Sequence, residues 1–183
     1  MNNITFRAEI LRKSIHISSS IFAFFLYILG KDNILLPIIS ISCIYILFDF
    51  YRGKTILNKW YLKYFSFVTR PNEQKDHLTG ASYVFAGISL SILIFNETTA
   101  IVSILVMSLS DSSAALFGRK YGFTKILDKS LEGSLAFYLT SIIIFLLFNF
   151  NFYISLVICF ILMLVEFFDK FLIDDNISLP IIS

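Results

Sequence analysis

The sequence predicts an all-α, polytopic integral membrane protein of about six transmembrane helices, with an interfacial amphipathic helix and a cytoplasmic N-terminus. Three observations carry this reading. Of 183 residues, 57 % are hydrophobic and 15 % charged, against about 45–50 % and about 25 % in soluble domains. The apolar residues gather in runs of sixteen to twenty, close to the roughly 20 residues that cross about 30 Å of hydrocarbon. The basic residues, finally, are sorted between the two sides of those runs.

The first span is expected at 15–30. It is short, so its helix is expected to begin near Thr5, leaving Arg7, Arg12 and Lys13 at the surface. It is not expected to be a removable signal, because further spans follow and Gly30-Lys31-Asp32 is a poor cleavage site. The second span is expected at 34–50, after a turn at Lys31-Asp32-Asn33. Residues 55–68 then alternate Lys59 and Lys63 with Leu57, Trp60, Tyr61, Tyr64 and Phe65. That is the pattern of a helix lying in the interface, with lysines snorkelling and aromatic rings at headgroup level.

Spans three and four are expected at 79–95 and 99–118, joined at Asn96-Glu97-Thr98. Spans five and six follow at 131–148 and 152–169, joined at Asn149-Phe150-Asn151. Brief turns of this kind suit antiparallel helical hairpins. The whole chain, 1–183, reads as one membrane domain without a sizeable soluble appendage. Cys43 and Cys159 lie inside apolar runs with no second thiol or His at ligand spacing, so neither a disulfide nor a metal cluster is expected.

Orientation follows from the cations. Arg7, Arg12, Lys13, Arg52, Lys54, Lys59, Lys63, Arg70, Lys75, Arg119, Lys120, Lys125, Lys129 and Lys170 fall on one side, and Lys31 alone on the other. The positive-inside rule places both termini and both long loops in the cytoplasm. In such a chain the net charge of +2 reports orientation, and nucleic acid is not an expected partner.

The informative residues interrupt the apolar pattern. Asp111 lies inside the fourth span, about 10 Å of helix before Gly118 at roughly 1.5 Å per residue. A carboxylate at membrane depth costs about 2.5–3.5 kcal/mol on insertion scales and is rarely retained without a task, the alternative being a charge satisfied by a neighbouring Ser or Arg for packing. Glu166 sits in the last span, Asp49 ends the second, His16 opens the first and Glu132 opens the fifth. All five lie toward the cytoplasmic side, as a water-accessible cavity open to the cytoplasm would require. Ordinary interfacial placement accounts equally well for Asp49 or His16 taken alone.

Around Asp111 the chain reads LSDSSAALFGRKYG. Ser110, Ala114 and Gly118 share one helix face; Asp111, Ala115, Gly118 and Gly122 line the adjacent one. Small residues at this spacing fit close helix packing, and they equally leave room for a ligand beside a carboxylate. The 119–130 loop closes on Lys129-Ser130-Leu131-Glu132-Gly133. Asp128 stands where a phosphate-binding GxxxxGK[ST] loop has Gly, and no strand precedes it, so this is not a Walker motif. It still sets an ammonium, a hydroxyl and backbone N–H groups at a helix N-terminus, which suits phosphate oxygens. Glu132 beside them could hold a divalent metal bridging those oxygens. Beyond Glu166 and Asp169, Asp174-Asp175-Asn176 offers metal or ribose ligands, or a solvated turn ended by Pro180.

Taken together, these segments resemble the CTP-dependent lipid-alcohol kinases, a family that includes dolichol, phytol, polyprenol and yeast-type diacylglycerol kinases. The matching pieces are Glu9, Arg12-Lys13 and His16; Asp49-Phe50-Tyr51-Arg52; Leu78-Thr79-Gly80-Ala81-Ser82-Tyr83; Ser110 through Gly122; Lys129 through Ser134; and Glu166 with Asp174-Asp175-Asn176 and Pro180. They cover essentially the whole chain in order. Ser110 stands where many dolichol kinases have Gly, and the chain looks more like the short prokaryotic members.

The resemblance implies transfer of the γ-phosphoryl group of CTP to a lipid hydroxyl, with Mg²⁺ or another divalent cation. It implies Asp111, Lys129 and Glu132 as catalytic residues, with Asp111 and Glu132 holding the metal. Gly118, Arg119, Gly122, Ser130, Gly133, Asp175 and Asn176 would bind nucleotide, and Arg12, Lys13, His16, Asp49, Arg52, Gly80 and Glu166 are further matched positions. A multi-pass protein of a prokaryotic cell membrane, or of the endoplasmic reticulum in a eukaryote, is implied, and a homodimer is allowed. The family is similar to the phosphatidate cytidylyltransferases, so CDP-lipid synthesis is the alternative reaction. A non-enzymatic transporter is the third reading, against which the one-sided placement of the charges argues.

Overall fold

A computed structural model of the chain describes residues 5–53, 55–66, 69, 78–126, 129–168 and 175–182. The expected cations Lys54, Arg70, Lys75 and Lys170, together with Asp128, Asp169, Asp174 and the side chain of Asp175, lie outside the described residues.

The protein is mostly helical. Its elements run α1 (Phe6–Ser18), α2 (Ile21–Leu29), α3 (Lys31–Arg52), α4 (Leu57–Phe65), α5 (Gly80–Ile94), α6 (Glu97–Leu105), a π-helical segment (Val106–Ser110), α7 (Asp111–Tyr121), α8 (Leu131–Leu147), α9 (Phe152–Phe167) and α10 (Asp175–Ile182). A two-residue antiparallel ladder, β1 (Lys125–Ile126) with β2 (Lys129–Ser130), interrupts the all-α pattern. It closes the loop between α7 and α8, and Leu131 N–H donates to Thr124 O to complete the turn (3.0 Å).

The first apolar run is divided. Thr5 caps α1 by accepting from Ala8 N–H, which puts the helix start where the short first run required it. The helix then breaks at Ser18-Ser19-Ser20. Ser18 Oγ donates to Ile15 O and Ser19 Oγ to His16 O, both at 2.6 Å. Such back-bonding competes with the i→i−4 ladder, and the Ser19 and Ser20 N–H groups instead reach three residues back. The expected turn at residues 31–33 contracts to Gly30, at φ +74°, so that α3 already begins at Lys31. Asn96 and Asn151 cap α6 and α9 through their side-chain oxygens, as short polar residues at helix starts do.

Among the described residues two helices are long and apolar enough to cross a membrane, Lys31–Arg52 and the continuous Glu97–Tyr121. Gly80–Ile94, Leu131–Leu147 and Phe152–Phe167 are shorter apolar helices. The Glu97–Tyr121 rod is central. Ile104 and Met107 pack with Leu26, Ile38, Ile88 and Ile92 on one side. Val102 and Val106 pack with Phe137, Phe145, Leu162 and Leu179 on the other. Outward faces remain apolar, as at Leu36, Leu47, Ile143, Leu147 and Val157. An apolar exterior of this extent suits lipid contact.

The polar side chains share one end of the bundle. Asp49 at the end of α3 meets Thr79 before α5, Glu9 on α1 meets Arg119 at the end of α7, and Lys129 before α8 meets Glu166 at the end of α9. Lys31 lies at the opposite end, donating to Phe95 O at 2.7 Å.

Candidate active site

Asp111 is placed by a break in helical register. From Val106 to Ser110 the chain is π-helical, and Asp111 N–H donates to Val106 O, five residues back. Segments of this kind are frequent at functional sites because they re-aim side chains. The widened turn also presents Met107 O to His16 Nε2 at 2.9 Å. The same ring nitrogen lies 3.1 Å from Asp111 Oδ2, and the Lys13 ammonium donates to that oxygen too. With a carbonyl and a carboxylate both facing it, Nε2 carries the proton. Lys13 and His16 stand at i and i+3 on α1, so one helix face delivers both to the carboxylate. Burying Asp111 without such partners would be prohibitive.

These groups form the polar end of a cavity of about 950 Å³. Arg12, Lys13, His16, Asp111 and Asn176 line that end, and Ile15, Phe22, Ile44, Tyr45, Phe48 and Phe85 form the apolar wall. Tyr45 and Phe85 stack with ring centroids 4.8 Å apart. Gly80 and Thr79 contribute to the lining, as do Tyr61 and Phe65 of α4.

Asp49 and Arg52 stand just behind. Asp49 Oδ2 accepts from Thr79 N–H, Thr79 Oγ1 and Ser82 Oγ at 2.6–2.8 Å, tying the end of α3 to the start of α5. Arg52 is fully buried. Its Nε lies 3.2 Å from Asp49 Oδ1, its guanidinium covers the Tyr61 ring at 4.3 Å, and Nη1 donates to Asn58. One buried ion pair therefore anchors α3, α4 and α5 where the cavity opens.

A second group lies at the other end of α7. Lys129 Nζ donates to Glu166 Oε1 at 2.6 Å and to the Glu166 carbonyl, and Ser134 Oγ reaches the same carboxylate. Ser130 caps α8 by accepting from Gly133 N–H. Glu132 accepts from Thr124 N–H with both oxygens, at 3.1 and 3.3 Å. The small residues of α7 pack against α8. A Cβ on Gly118 would lie 2.8 Å from Ser130 Oγ, and one on Gly133 2.8 Å from Ala114 O. Ser110 Oγ accepts from Ser141 Oγ at 3.0 Å. Between the two spacing-based readings of the Ser110–Ala114–Gly118 face, the structure realises close packing.

The expected site thus divides in two, linked by α7. Arg12, Lys13, His16, Gly80, Asp111 and Asn176 share the cavity. Gly118, Gly122, Lys129, Ser130, Glu132, Gly133 and Glu166 gather at the α7–α8 junction. Arg119 connects them through Glu9. Asp111 and Glu132, the expected metal pair, have different neighbours: α1 cations for Asp111, a backbone amide for Glu132. Among the described residues no three His, Cys, Asp or Glu side chains gather. The expected pair therefore does not converge on one ion: Asp111 is taken by Lys13 and His16 and Glu132 by Thr124 N–H, and the most that fits Mg²⁺ is one carboxylate with substrate phosphates completing the shell.

An uncharacterized protein of Rickettsia prowazekii is 31 % identical over 191 residues, covering 99 % of this chain and 94 % of that protein. The chain belongs to the same family. Fungal proteins with a named activity are also similar to the chain. CTP-dependent diacylglycerol kinase 1 of Saccharomyces cerevisiae is 30 % identical over 141 residues, 74 % of this chain but 48 % of the yeast protein, so the chain spans about half of that relative. The Schizosaccharomyces pombe protein of the same name is 26 % identical over 200 residues, covering 96 % and 90 %. No family model and no solved structure matches the chain.

Glu9, Thr79 and Ser82 are among the matched positions but carry no role there: Thr79 and Ser82 hold Asp49, and Glu9 joins two arginines. The Met107 carbonyl, which holds His16, has no sequence signal, because a backbone carbonyl leaves the apolar run unbroken.

Proposed function

We propose that this protein transfers the γ-phosphoryl group of CTP to the hydroxyl of a membrane lipid alcohol. The observation that carries the reading is the two-sided wall of the cavity: Arg12, Lys13, His16 and Asp111 at one end, aliphatic and aromatic side chains along the rest. A lipid alcohol has the same two sides. The name of the fungal relatives supports CTP as donor and diacylglycerol as acceptor; polyprenols, dolichol and phytol follow from the sequence resemblance.

In the transfer a bond forms between the lipid oxygen and the γ-phosphorus as the bond to the bridging β–γ oxygen breaks. CDP leaves with that electron pair, and the hydroxyl proton passes to a carboxylate, Asp111 or another, and on to solvent. Such reactions need positioning and charge neutralisation more than covalent help. Lys129 and Arg119 are assigned to the triphosphate, with Ser130 and the α8 N-terminus beside Lys129; Asp175 and Asn176 are candidate nucleotide or metal ligands. Mg²⁺, with Asp111 or Glu132 as its candidate ligand, would neutralise charge on the phosphates. Lys13 and His16 hold Asp111 in the cavity, and the apolar wall keeps water from the acceptor. A six-span topology with the polar end in the cytoplasm sets this site where CTP is.

The test is purified protein in detergent with γ-labelled CTP and a panel of diacylglycerol, phytol and polyprenols. A labelled lipid monophosphate with CDP is expected. Label confined to CTP or pyrophosphate across the panel overturns the reading, and pyrophosphate with a CDP-lipid from phosphatidate points to cytidylyl transfer instead.

A further inference from the structure

We infer that a lipid enters the Asp111 cavity sideways, from the bilayer, through a gap between α1 and α3. A floor of three rings, Phe22, Tyr45 and Phe85, admits its hydroxyl-bearing end and leaves the tail in the membrane. That the lipid accepts a phosphoryl group rests on the kinase reading; the gap and its floor rest on geometry.

The gap follows from the helix break at Ser18–Ser20. Before the break α1 packs on α7 and the π-helical segment; beyond it α2 packs on α3 and α6, and α3 itself packs on α5. The cavity is lined by Ile15 of α1, Ile21 of α2, and Ile44 and Phe48 of α3. Ile15 and Ile44 are 57 % and 64 % exposed, whereas Asp111 in the same cavity is 5 % exposed. Side chains that line a cavity and also face outward mark its opening. Ile21 and Phe48 are exposed beside them, and Ser18 turns its hydroxyl onto Ile15 O. A rim of this composition suits hydrocarbon. An occupant that fits both the rim and the charged end carries an alkyl chain on a polar head.

The floor is aromatic. Phe85 stacks on Tyr45 with ring centroids 4.8 Å apart and meets Phe22 edge-on at 5.3 Å. Tyr45 stands four residues before Asp49, and Phe85 five after Gly80. The layer is therefore about 6–8 Å below the polar end, at roughly 1.5 Å per residue. Beneath it Leu26, Ile38, Ile88 and Ile92 are buried in one cluster, and Phe22 packs against them. A long chain meets the rings after a few carbons and turns out between Ile15 and Ile44.

The test narrows the gap at residues remote from the charges. In bilayers, Ile15→Phe with Ile44→Phe should lower kcat/KM for dioleoylglycerol about tenfold. Dihexanoylglycerol, whose chains end near the floor, should lose no more than about twofold, and KM for CTP should move no further than that. A second readout needs no turnover. Trp60 is the single Trp of the chain, so Phe85→Trp in a Trp60→Phe background reports from the floor alone. Brominated diacylglycerol in the bilayer should quench its fluorescence, and the Ile15→Phe, Ile44→Phe pair should relieve most of that quenching.

Equal losses for the two lipids overturn the inference, as does fluorescence that brominated lipid leaves unquenched or that the pair fails to restore. Absent quenching together with an altered oligomeric state in the pair assigns the gap to a second copy of the chain instead. If Phe85→Trp does not fold, Tyr45→Trp decides by the same readout. A wild type that phosphorylates no lipid, yet shows quenching that the pair relieves, removes the kinase reading and leaves the gap standing.

Discussion

Lys13 and Asp111, 98 positions apart in the chain, meet as a buried ion pair, and His16 completes the set at 3.1 Å from the same carboxylate oxygen. Removing one partner of a buried pair leaves an uncompensated charge, at a cost of about 3–5 kcal/mol. Asp111→Asn should therefore lower thermal stability in detergent as well as abolish turnover. Lys13→Met with Asp111→Leu should be considerably more stable than the sum of the single changes, though inactive. Additive losses in that double-mutant cycle would show that the two residues do not interact.

Lys129 bridges to Glu166 across the α8–α9 contact. As a proposed phosphate ligand it should matter more to turnover than to folding. Lys129→Ala is expected to lower kcat/KM for CTP at least about hundredfold, the usual loss for one charge-stabilising donor. Near-normal kcat/KM in a folded variant would remove Lys129 from the site.

Glu9 lies ahead of the first apolar run and supplies a pH dependence. Burial pushes its carboxyl up, but Arg12, Arg119 and Lys13 outweigh this and hold it below the ordinary 4.5. A group whose pKa is lower folded than unfolded stabilises fully above the unfolded value. That contribution is lost as pH falls through the folded value. The stability gap between wild type and Glu9→Gln should be constant above about pH 5 and shrink on acidification below 4.5. Unfolding midpoints measured from pH 6 to pH 3 that keep a fixed gap would contradict this.

Gly133 sets the approach of α7 to α8. An added Cβ would press on Ala114 O at 2.8 Å and Gly118 Cα at 3.1 Å, both backbone atoms that do not swing aside. Gly133→Ala should cost about 1–3 kcal/mol through overpacking. Gly118→Ala meets the movable Ser130 hydroxyl first and should cost less in stability. Thermal unfolding of the two variants side by side checks the order.

The proposed topology predicts opposite labelling at the two ends of the bundle. In intact cells, a cysteine at Lys31 should react with a membrane-impermeant thiol reagent, and one at Lys125 only after permeabilisation. The reverse pattern would invert the orientation and separate the site from cytoplasmic CTP.

Much of the architecture was legible beforehand. Apolar runs expected at 79–95, 131–148 and 152–169 became the apolar helices Gly80–Ile94, Leu131–Leu147 and Phe152–Phe167, each shorter than the span expected there. The expected 55–68 interfacial segment became Leu57–Phe65. The division at Ser18–Ser20 was hidden, since serines are small enough to pass within an apolar run while their hydroxyls redirect the backbone. The π segment was hidden as well, since Val-Met-Ser-Leu-Ser carries no pattern that separates a five-residue register from a four-residue one. Whether residues 174–183 cap the site or begin a seventh hydrophobic element was open in the sequence; Asp175–Ile182 forms a short helix against α5, where Ser91 Oγ donates to Pro180 O and Gly87 meets Asn176 O.

Composition and the order of charges are enough to read a helical, strongly apolar protein whose ionisable residues concentrate near the same helix ends. Those properties are local: hydrophobicity and charge are read one residue at a time. Which charges meet is a matter of helix packing. It gave Asp111 to Lys13 and His16, Glu166 to Lys129, and Glu9 to two arginines from different helices. A buried charge is stabilised by geometry within a few ångströms, and helix packing between distant segments sets that geometry.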